Sequence, residues 1–106
     1  MIGELNEQQI SEVLKSQSVG RIGCHWDETT YVVPVSYVFD GEYIYAHSRD
    51  GMKIKMMRQN PYVCFEVEEV ENGANWRSVI GWGKYEELHN EEDRDAAMQL
   101  LVKHFL

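Results

Sequence analysis

The chain has 106 residues, of which 18 are Asp or Glu and 10 are Lys or Arg, giving a formal charge of −8. This length allows one domain that buries roughly 65% of the surface its unfolded chain would expose. The negative charge argues against general binding of nucleic acid or of an anionic membrane surface. No apolar run is long enough to span a bilayer and no signal peptide is visible, so we expect a single domain over 1–106 in the cytoplasm.

The first half of the chain is predicted to form one helix and three strands. Asn6 is a suitable N-cap with Gln9 three residues later, ahead of a short amphipathic pattern. The strongest strand signal alternates apolar side chains up to an Asp40-Gly41 pair, which is typical of a hairpin turn. The predicted elements are a helix over 7–17 and strands over 19–26, 30–39 and 42–47.

The second half is predicted to form a short helix, two strands and a final helix. Gly81 and Gly83 indicate a bulge or a close backbone approach within the last strand. Asn90 is expected to cap the final helix. The predicted elements are a helix over 51–59, strands over 62–69 and 76–88, and a helix with Ala97, Met98, Leu101, Val102 and Phe105 on its apolar side. Hairpin connections favour a mostly antiparallel sheet curled into a small barrel.

Four of the ten basic residues fall within ten positions, and Asp50 alone offsets them; they are Arg49, Lys53, Lys55 and Arg58. Arg and Lys supply charged donors for phosphate, and Gly51 lets a backbone approach closely. One interpretation is therefore a site for a single phosphate group. A solvated helix face is the alternative, and neither a P-loop nor a Rossmann glycine motif is present.

Three other features are candidates for binding. The His47-Ser48 pair precedes the basic turn, and His47 is either a proton donor, a ligand or a structural side chain. Residues 76–79 could offer a flat wall to a planar ring, or fill the core or a dimer contact. Pro34 indicates an edge strand or a bulge, and the free backbone groups of an edge strand can bind a heterocycle or another subunit. The spacing of Cys24 and His25 does not fit a zinc site, and no nucleophile motif occurs.

Several of these segments together resemble a known family. Residues 20–23 (GRIG), 31–37 (YVVPVSY), 44–48 (IYAHS) and 76–79 (WRSV) are similar to the pyridoxamine 5′-phosphate oxidase-like FMN-binding split-barrel family. Gly51, Lys53 and the Asn60-Pro61 pair fit the same pattern. The subgroup that looks most similar contains small flavin-nucleotide-binding proteins related to nitroimidazole-resistance reductases.

The resemblance implies a mainly β (α+β) fold, a small antiparallel split β-barrel with short flanking helices, and FMN bound at a homodimer interface. Lys53 would bind the phosphate, and His47 would lie on the substrate side of the flavin. Residues 76–79 would approach from the barrel wall or from the partner subunit. The cofactor-binding residues implied are Val33, Pro34, Val35, Ser36, Tyr37, His47, Ser48, Arg49, Gly51, Lys53, Trp76, Arg77, Ser78 and Val79.

The leading hypothesis is an FMN-dependent oxidoreductase that uses electrons from a donor such as NAD(P)H to reduce a small electrophilic substrate. The first alternative is a non-enzymatic module for haem or another planar ligand, with His47 as a candidate axial ligand. The second is a barrel that only dimerises. Nitroimidazole-type relatives usually continue past the last helix with one more strand, so we expect the chain to lack a C-terminal strand or to complete the barrel differently. The dedicated oxidases carry further C-terminal residues that hold pyridoxal phosphate and FMN, so we do not expect oxidation of pyridoxamine phosphate.

Overall fold

The computed structural model describes residues 3–49 and 51–106, so Asp50 of the basic turn lies outside the described residues. The strands form one antiparallel sheet in the order β3-β2-β1-β4-β5, which confirms the expected mainly β architecture. The molecule is a slab of 42 × 36 × 21 Å. Its elements are α1 (Glu7–Ser16), β1 (Val19–Trp26), β2 (Thr29–Phe39), β3 (Ile44–Ala46), α2 (Met52–Gln59), β4 (Tyr62–Val70), β5 (Trp76–Lys84) and α3 (Glu91–Phe105).

The predicted capping box of α1 is confirmed. Asn6 Oδ1 accepts from the Gln9 backbone N–H, and Gln9 Oε1 accepts from the Asn6 N–H, each at 2.9 Å. These contacts satisfy two backbone donors that a helix N-terminus would otherwise leave unpaired. At the other end, the Tyr37 hydroxyl donates to the Leu14 carbonyl at 2.7 Å, which ties α1 to β2.

One face of the sheet, which we call the inner face, carries the core. Strand alternation places Tyr37 of β2 and Val67 of β4 on this face, where they pack with Val13 and Leu14 of α1. At the other end of the same face, α2 covers Cys24 with the side chains of Ile54, Met56 and Met57. The other face, which we call the outer face, carries the exposed side chains of Val32, Ile80 and Trp82 and, near β3, the buried side chain of Val38.

Turn chemistry explains why β3 is shorter than predicted. Asp40 Oδ1 accepts from the backbone N–H groups of Glu42 at 2.8 Å and Tyr43 at 2.7 Å, so both residues belong to the turn. These bonds also lower the pKa of the Asp40 carboxyl. The strand therefore begins at Ile44 rather than at 42, and Gly41 takes the left-handed φ of 106° that the turn requires.

The prediction for β5 was wrong in two respects. The strand ends at Lys84, because Lys84 pairs with Tyr62 at the start of β4 and no partner strand extends further. Gly81 and Gly83 sit in regular register without a bulge, and a Cβ at either would meet nothing within 4 Å among the described residues. The close approach lies instead at Gly20, where a Cβ would stand 2.3 Å from Phe65 Cζ.

The last helix is anchored by few contacts. His104 Nε2 lies 3.0 Å from the Gln17 carbonyl oxygen and 3.1 Å from Ser18 Oγ. Ala97 and Leu101 are buried, as predicted, but the rest of the predicted apolar side, Met98, Val102 and Phe105, is exposed. None of the helices in the described ranges is long and apolar enough to cross a membrane.

Candidate functional site

The first component of the candidate site is an open edge of β2. β3 pairs only with residues 37–39, so the stretch from Thr29 to Ser36 is bonded to β1 on one side and to no described strand on the other. Backbone groups of successive strand residues point to opposite sides of the strand. The open stretch therefore presents free main-chain donors and acceptors, as the position of Pro34 predicted.

Alternation decides which residues of the predicted 33–37 run face this edge. The Tyr37 N–H donates to the Ser18 carbonyl at 3.0 Å, so the polar backbone groups of odd-numbered residues point toward β1. Those of Pro34 and Ser36 consequently point to the open edge, and the missing N–H of Pro34 costs β1 no bond. The side chains of Val33, Val35 and Tyr37 lie on the inner face, where Val35 and Tyr37 are buried.

The second component is the basic turn that leads into α2. Arg49, Lys53 and Lys55 form no ion pair with residues 3–49 or 51–106. Arg58, the fourth cation, is engaged by Glu87 at 2.5 Å, and this contact lowers the pKa of the Glu87 carboxyl. Three cations within seven positions thus have no ion-pair partner among the described residues.

Register brings the basic turn close to the open edge. Ala46 lies opposite Tyr37, so His47, which follows, emerges beside Ser36. His47 is exposed, whereas Ser48 and Gly51 are half-buried. The Ser48 hydroxyl donates to the Arg49 carbonyl at 3.2 Å, which helps hold the turn. The register therefore places the predicted residues 34, 36 and 47 at one edge of the sheet, and residues 48, 49, 51 and 53 follow in the turn into α2, which packs on β1 around Cys24.

The predicted segment 76–79 lies on β5, at the opposite edge. β2, β1 and β4 separate it from β3, so one chain does not bring the two parts together through the sheet. Arg77 points to the inner face, where it contacts Glu69 at 2.9 and 3.0 Å and Glu12 at 3.4 Å. These carboxylates raise the pKa of the guanidinium and occupy its donors. Trp76 and Ser78 are on the outer face and exposed.

The outer face holds a shallow groove of about 720 Å³ that the sequence did not reveal. Its floor is low because Gly23 has no side chain, and a Cβ there would stand 2.7 Å from Cys64 Sγ. Trp82 and Tyr62 border it with exposed fractions of 81% and 71%. The register places Gly23, Cys64 and Trp82 side by side across β1, β4 and β5. Alternation within each strand predicts which face such a residue occupies, but it does not predict which residues of neighbouring strands lie side by side.

A charged cluster divides this apolar surface. Arg21 Nη1 bonds to Glu66 at 3.1 Å and to Glu68 at 2.8 Å. Burial raises the pKa of Glu66, with the neighbouring Glu68 as the next cause, whereas contacts with Glu66 and Arg21 lower the pKa of Glu68. Arg21 offsets one of the two carboxylate charges, and apolar neighbours such as Val32 and Ile80 are more than half exposed.

The molecule exposes more surface than a globular chain of its size. Its accessible area is 8041 Å², whereas a monomer of 12.4 kDa is expected to expose about 6,100 Å². The radius of gyration is 14.6 Å, against about 12.9 Å for a compact domain of this length. The excess over a compact domain of this mass is therefore about 1,900 Å².

Comparison with known proteins gives consistent matches. A family model described as pyridoxamine 5′-phosphate oxidase matches residues 6–106. An uncharacterised protein of Rhizobium meliloti is 32% identical over 84 residues, which are 79% of this chain and 56% of that protein's length. The chain thus spans little more than half of that relative.

Two solved structures share the fold. A FAD-binding protein of Mesorhizobium loti is 39% identical, with a TM-score of 0.84 over 94% of this chain and 75% of that one. A proposed 5-nitroimidazole antibiotic resistance protein of Bacteroides thetaiotaomicron is 23% identical, with a TM-score of 0.85 over 99% of this chain and 69% of that one. These matches confirm the predicted small antiparallel split barrel.

Proposed function

The chain belongs to the pyridoxamine 5′-phosphate oxidase family, and on that premise we propose that it is a flavoprotein holding FMN at a homodimer interface. We further propose that it acts as an oxidoreductase. The net reaction would move two electrons and a proton from a donor such as NAD(P)H to a small electrophilic substrate. The observation that carries the proposal is the group of cations in the turn after β3, which form no ion pair within residues 3–49 and 51–106.

The residues present fit the phosphate end of a flavin nucleotide. Lys53 is half-buried in the first turn of α2, and Arg49 and Lys55 are exposed beside it. Their charges are not matched by a carboxylate in 3–49 or 51–106, although the chain as a whole carries −8. Such an excess of cations suits one phosphate group, whose oxygens accept charge-assisted hydrogen bonds from Lys and Arg.

The residues also fit the ring end. The open backbone groups of Pro34 and Ser36 offer acceptors and one donor in the geometry of a strand edge, which a planar heterocycle with imide and ring nitrogens can match. When bound, the flavin supplies the electron-transfer chemistry, so the protein has to bind and orient it and exclude water. His47, which is exposed and follows β3 next to Ser36, is the residue that we propose to donate a proton to the substrate.

A second copy of the chain would complete the site. The phosphate-binding side and residues 76–79 lie at opposite edges of the sheet, and a two-fold partner can bring the β5 of one copy to the β2 edge of the other. Covering the surplus area of about 1,900 Å² on each copy would give an interface of the size seen in obligate dimers. Trp76 and Ser78, both exposed on β5, are the partner residues proposed to contact the flavin.

Flavin titration tests the proposal through the phosphate. FMN quenching is measured for the wild type and for Lys53→Ala, and riboflavin, which has no phosphate, is titrated in parallel. We expect micromolar or tighter FMN binding, and a loss of about 10- to 100-fold in Lys53→Ala, since a charge-assisted hydrogen bond is worth about 1.5–3 kcal/mol. Riboflavin affinity should be the same in both proteins.

Lys15→Ala is the matched control, because Lys15 is an exposed lysine on α1, away from the turn. The proposal fails if FMN does not bind at micromolar concentration, or if Lys53→Ala binds FMN as the wild type does. A FAD titration belongs in the same series, because the Mesorhizobium structure is of a FAD-binding protein. Tighter binding of FAD than of FMN would keep the flavin site and overturn the choice of FMN.

Turnover tests the oxidoreductase step separately. NAD(P)H consumption is followed without oxygen in the presence of a nitroaromatic electrophile, with His47→Gln as the variant. We expect His47→Gln to lower the turnover number while FMN affinity is retained, because the imidazole is proposed to handle a proton and not to hold the cofactor. Equal turnover numbers in the two proteins would remove His47 from the reaction.

A further inference from the structure

Helix α3 carries an apolar stripe that its own chain does not cover. Asp95, Met98, Gln99, Val102 and Lys103 line one shallow depression on this helix. Met98 is 39% exposed and Val102 is 49% exposed, although they are the apolar residues at the centre of the depression. The helix buries the opposite side, through Ala97 and Leu101, so the stripe faces away from the sheet.

The ends of the stripe bear opposite charges. Asp95 stands at one end and Lys103 at the other, eight residues or about 12 Å along the helix axis. Neither forms an ion pair with a residue in the described ranges 3–49 and 51–106. The two side chains can therefore pair with a partner surface that presents a basic group opposite Asp95 and an acidic group opposite Lys103.

We propose that this stripe is a self-association surface on which α3 pairs antiparallel with the α3 of a second copy. A two-fold axis passing near Gln99 sets Asp95 of each helix opposite Lys103 of the other. Met98 and Val102 then pack between the two ion pairs. Such an interface is isologous, because the same surface is used by both copies and each contact occurs twice.

The distribution of charge along α3 favours the same antiparallel arrangement. Glu91, Glu92 and Asp93 lie in the first turn of α3, and Lys103 and His104 lie in the last. Antiparallel pairing brings the acidic start of one helix toward the basic end of the other and also opposes the two helix dipoles. A partner of uniform charge would match one end of the stripe and repel the other, so a second copy fits the surface better than a purely acidic or basic partner.

This surface is separate from the outer face of the sheet, where the flavin-dependent dimer is proposed. The α3 proposal therefore does not depend on flavin binding. The stripe is small, and interfaces below about 1,200 Å² are usually weak. Association through α3 should thus depend on protein concentration and, because two ion pairs contribute, on salt.

Charge reversal with complementation tests the pairing. Sedimentation equilibrium is run on wild type, D95K, K103D and an equimolar mixture of the two variants, from about 10 µM to about 1 mM protein. As the protein concentration rises, the average mass of the wild type should increase toward twice the mass seen at low concentration. Each variant alone should stay at the smaller mass, because the antiparallel pairing would set lysine against lysine in D95K and aspartate against aspartate in K103D.

The mixture should double again, since D95K and K103D present only opposite charges to each other. Glu86→Lys is the matched control, because it makes the same charge change on an exposed carboxylate outside α3, and it should assemble like the wild type. The proposal is overturned if the wild type never doubles, if the single variants assemble as the wild type does, or if the mixture behaves like its components. Circular dichroism of each variant confirms that α3 is folded.

Discussion

Replacing Tyr37 with Phe isolates one hydrogen bond that joins helix α1 to the sheet. The Tyr37 side chain is fully buried, and its ring packs edge-on against Phe65 with centroids 4.9 Å apart. Its hydroxyl donates at 2.7 Å to the Leu14 carbonyl, one of the last four carbonyls of α1, which have no partner within the helix. The Phe variant keeps the ring contact and leaves the carbonyl of Leu14 buried without a donor.

The expected loss of unfolding free energy is about 1–3 kcal/mol, the cost of an unsatisfied buried polar group. Urea denaturation measures this loss, and the midpoint should fall without a change in the slope. Tyr43→Phe is the matched control, because Tyr43 is 57% exposed and should change stability by no more than about 0.5 kcal/mol.

The pH dependence supplies a second readout of the same residue. Burial raises the pKa of Tyr37 to about 12, from an ordinary value of 10.0. The folded protein therefore holds this proton more tightly than the unfolded chain, and the stabilisation is complete below pH 10 and lost as pH rises toward 12. The difference in stability between wild type and Tyr37→Phe should shrink over that range. A constant difference, or equal urea midpoints at pH 7, would refute this account of Tyr37.

Two further predictions concern packing and acid stability. Gly20→Ala should cost about 1–3 kcal/mol, because its Cβ would stand 2.3 Å from Phe65 Cζ, whereas Gly81→Ala has open space and should be close to neutral when both are measured by urea denaturation. If the two variants are equally stable, the close approach at Gly20 is not real. The Arg58 contact lowers the pKa of Glu87, so its stabilisation is present above the ordinary carboxyl pKa and is lost as pH falls. Between pH 7 and pH 3, the melting temperature of Glu87→Gln should accordingly fall less than that of the wild type. An equal fall in both proteins would show that the Arg58–Glu87 pair does not contribute to stability.

The fold was largely predictable because its signals are local. Alternation over residues 30–39, the Asn6 cap and the Asp40-Gly41 turn each fix a short segment, and the structure confirms all three. The ends of β3 and β5 were not predictable from alternation, because they depend on where a partner strand stops. The importance of Gly20 was also hidden, since it results from contact with Phe65, 45 positions away.

The candidate site was predictable in its residue types but not in its arrangement. The basic turn and Pro34 were evident in the sequence, and the register places Pro34 on an open edge that lies next to the end of β3, from which the basic turn continues. The sequence could not show that Arg77 is held by Glu69, or that Arg58 is held by Glu87, because these ion pairs depend on side-chain orientation. The separation of β5 from the rest of the site follows from the strand order, which local patterns do not determine.

The central claim, a flavin site shared by two copies, is tested most directly by mixing two defective variants. Lys53→Ala damages the β2 edge of the site, and Trp76→Ala damages the β5 edge. If each site uses one edge from each copy, a mixed dimer contains one intact site and one doubly damaged site. Random exchange of subunits then restores FMN binding to about one quarter of all sites, although neither variant binds well alone. A mixture that binds no more FMN than its two components would contradict the shared site.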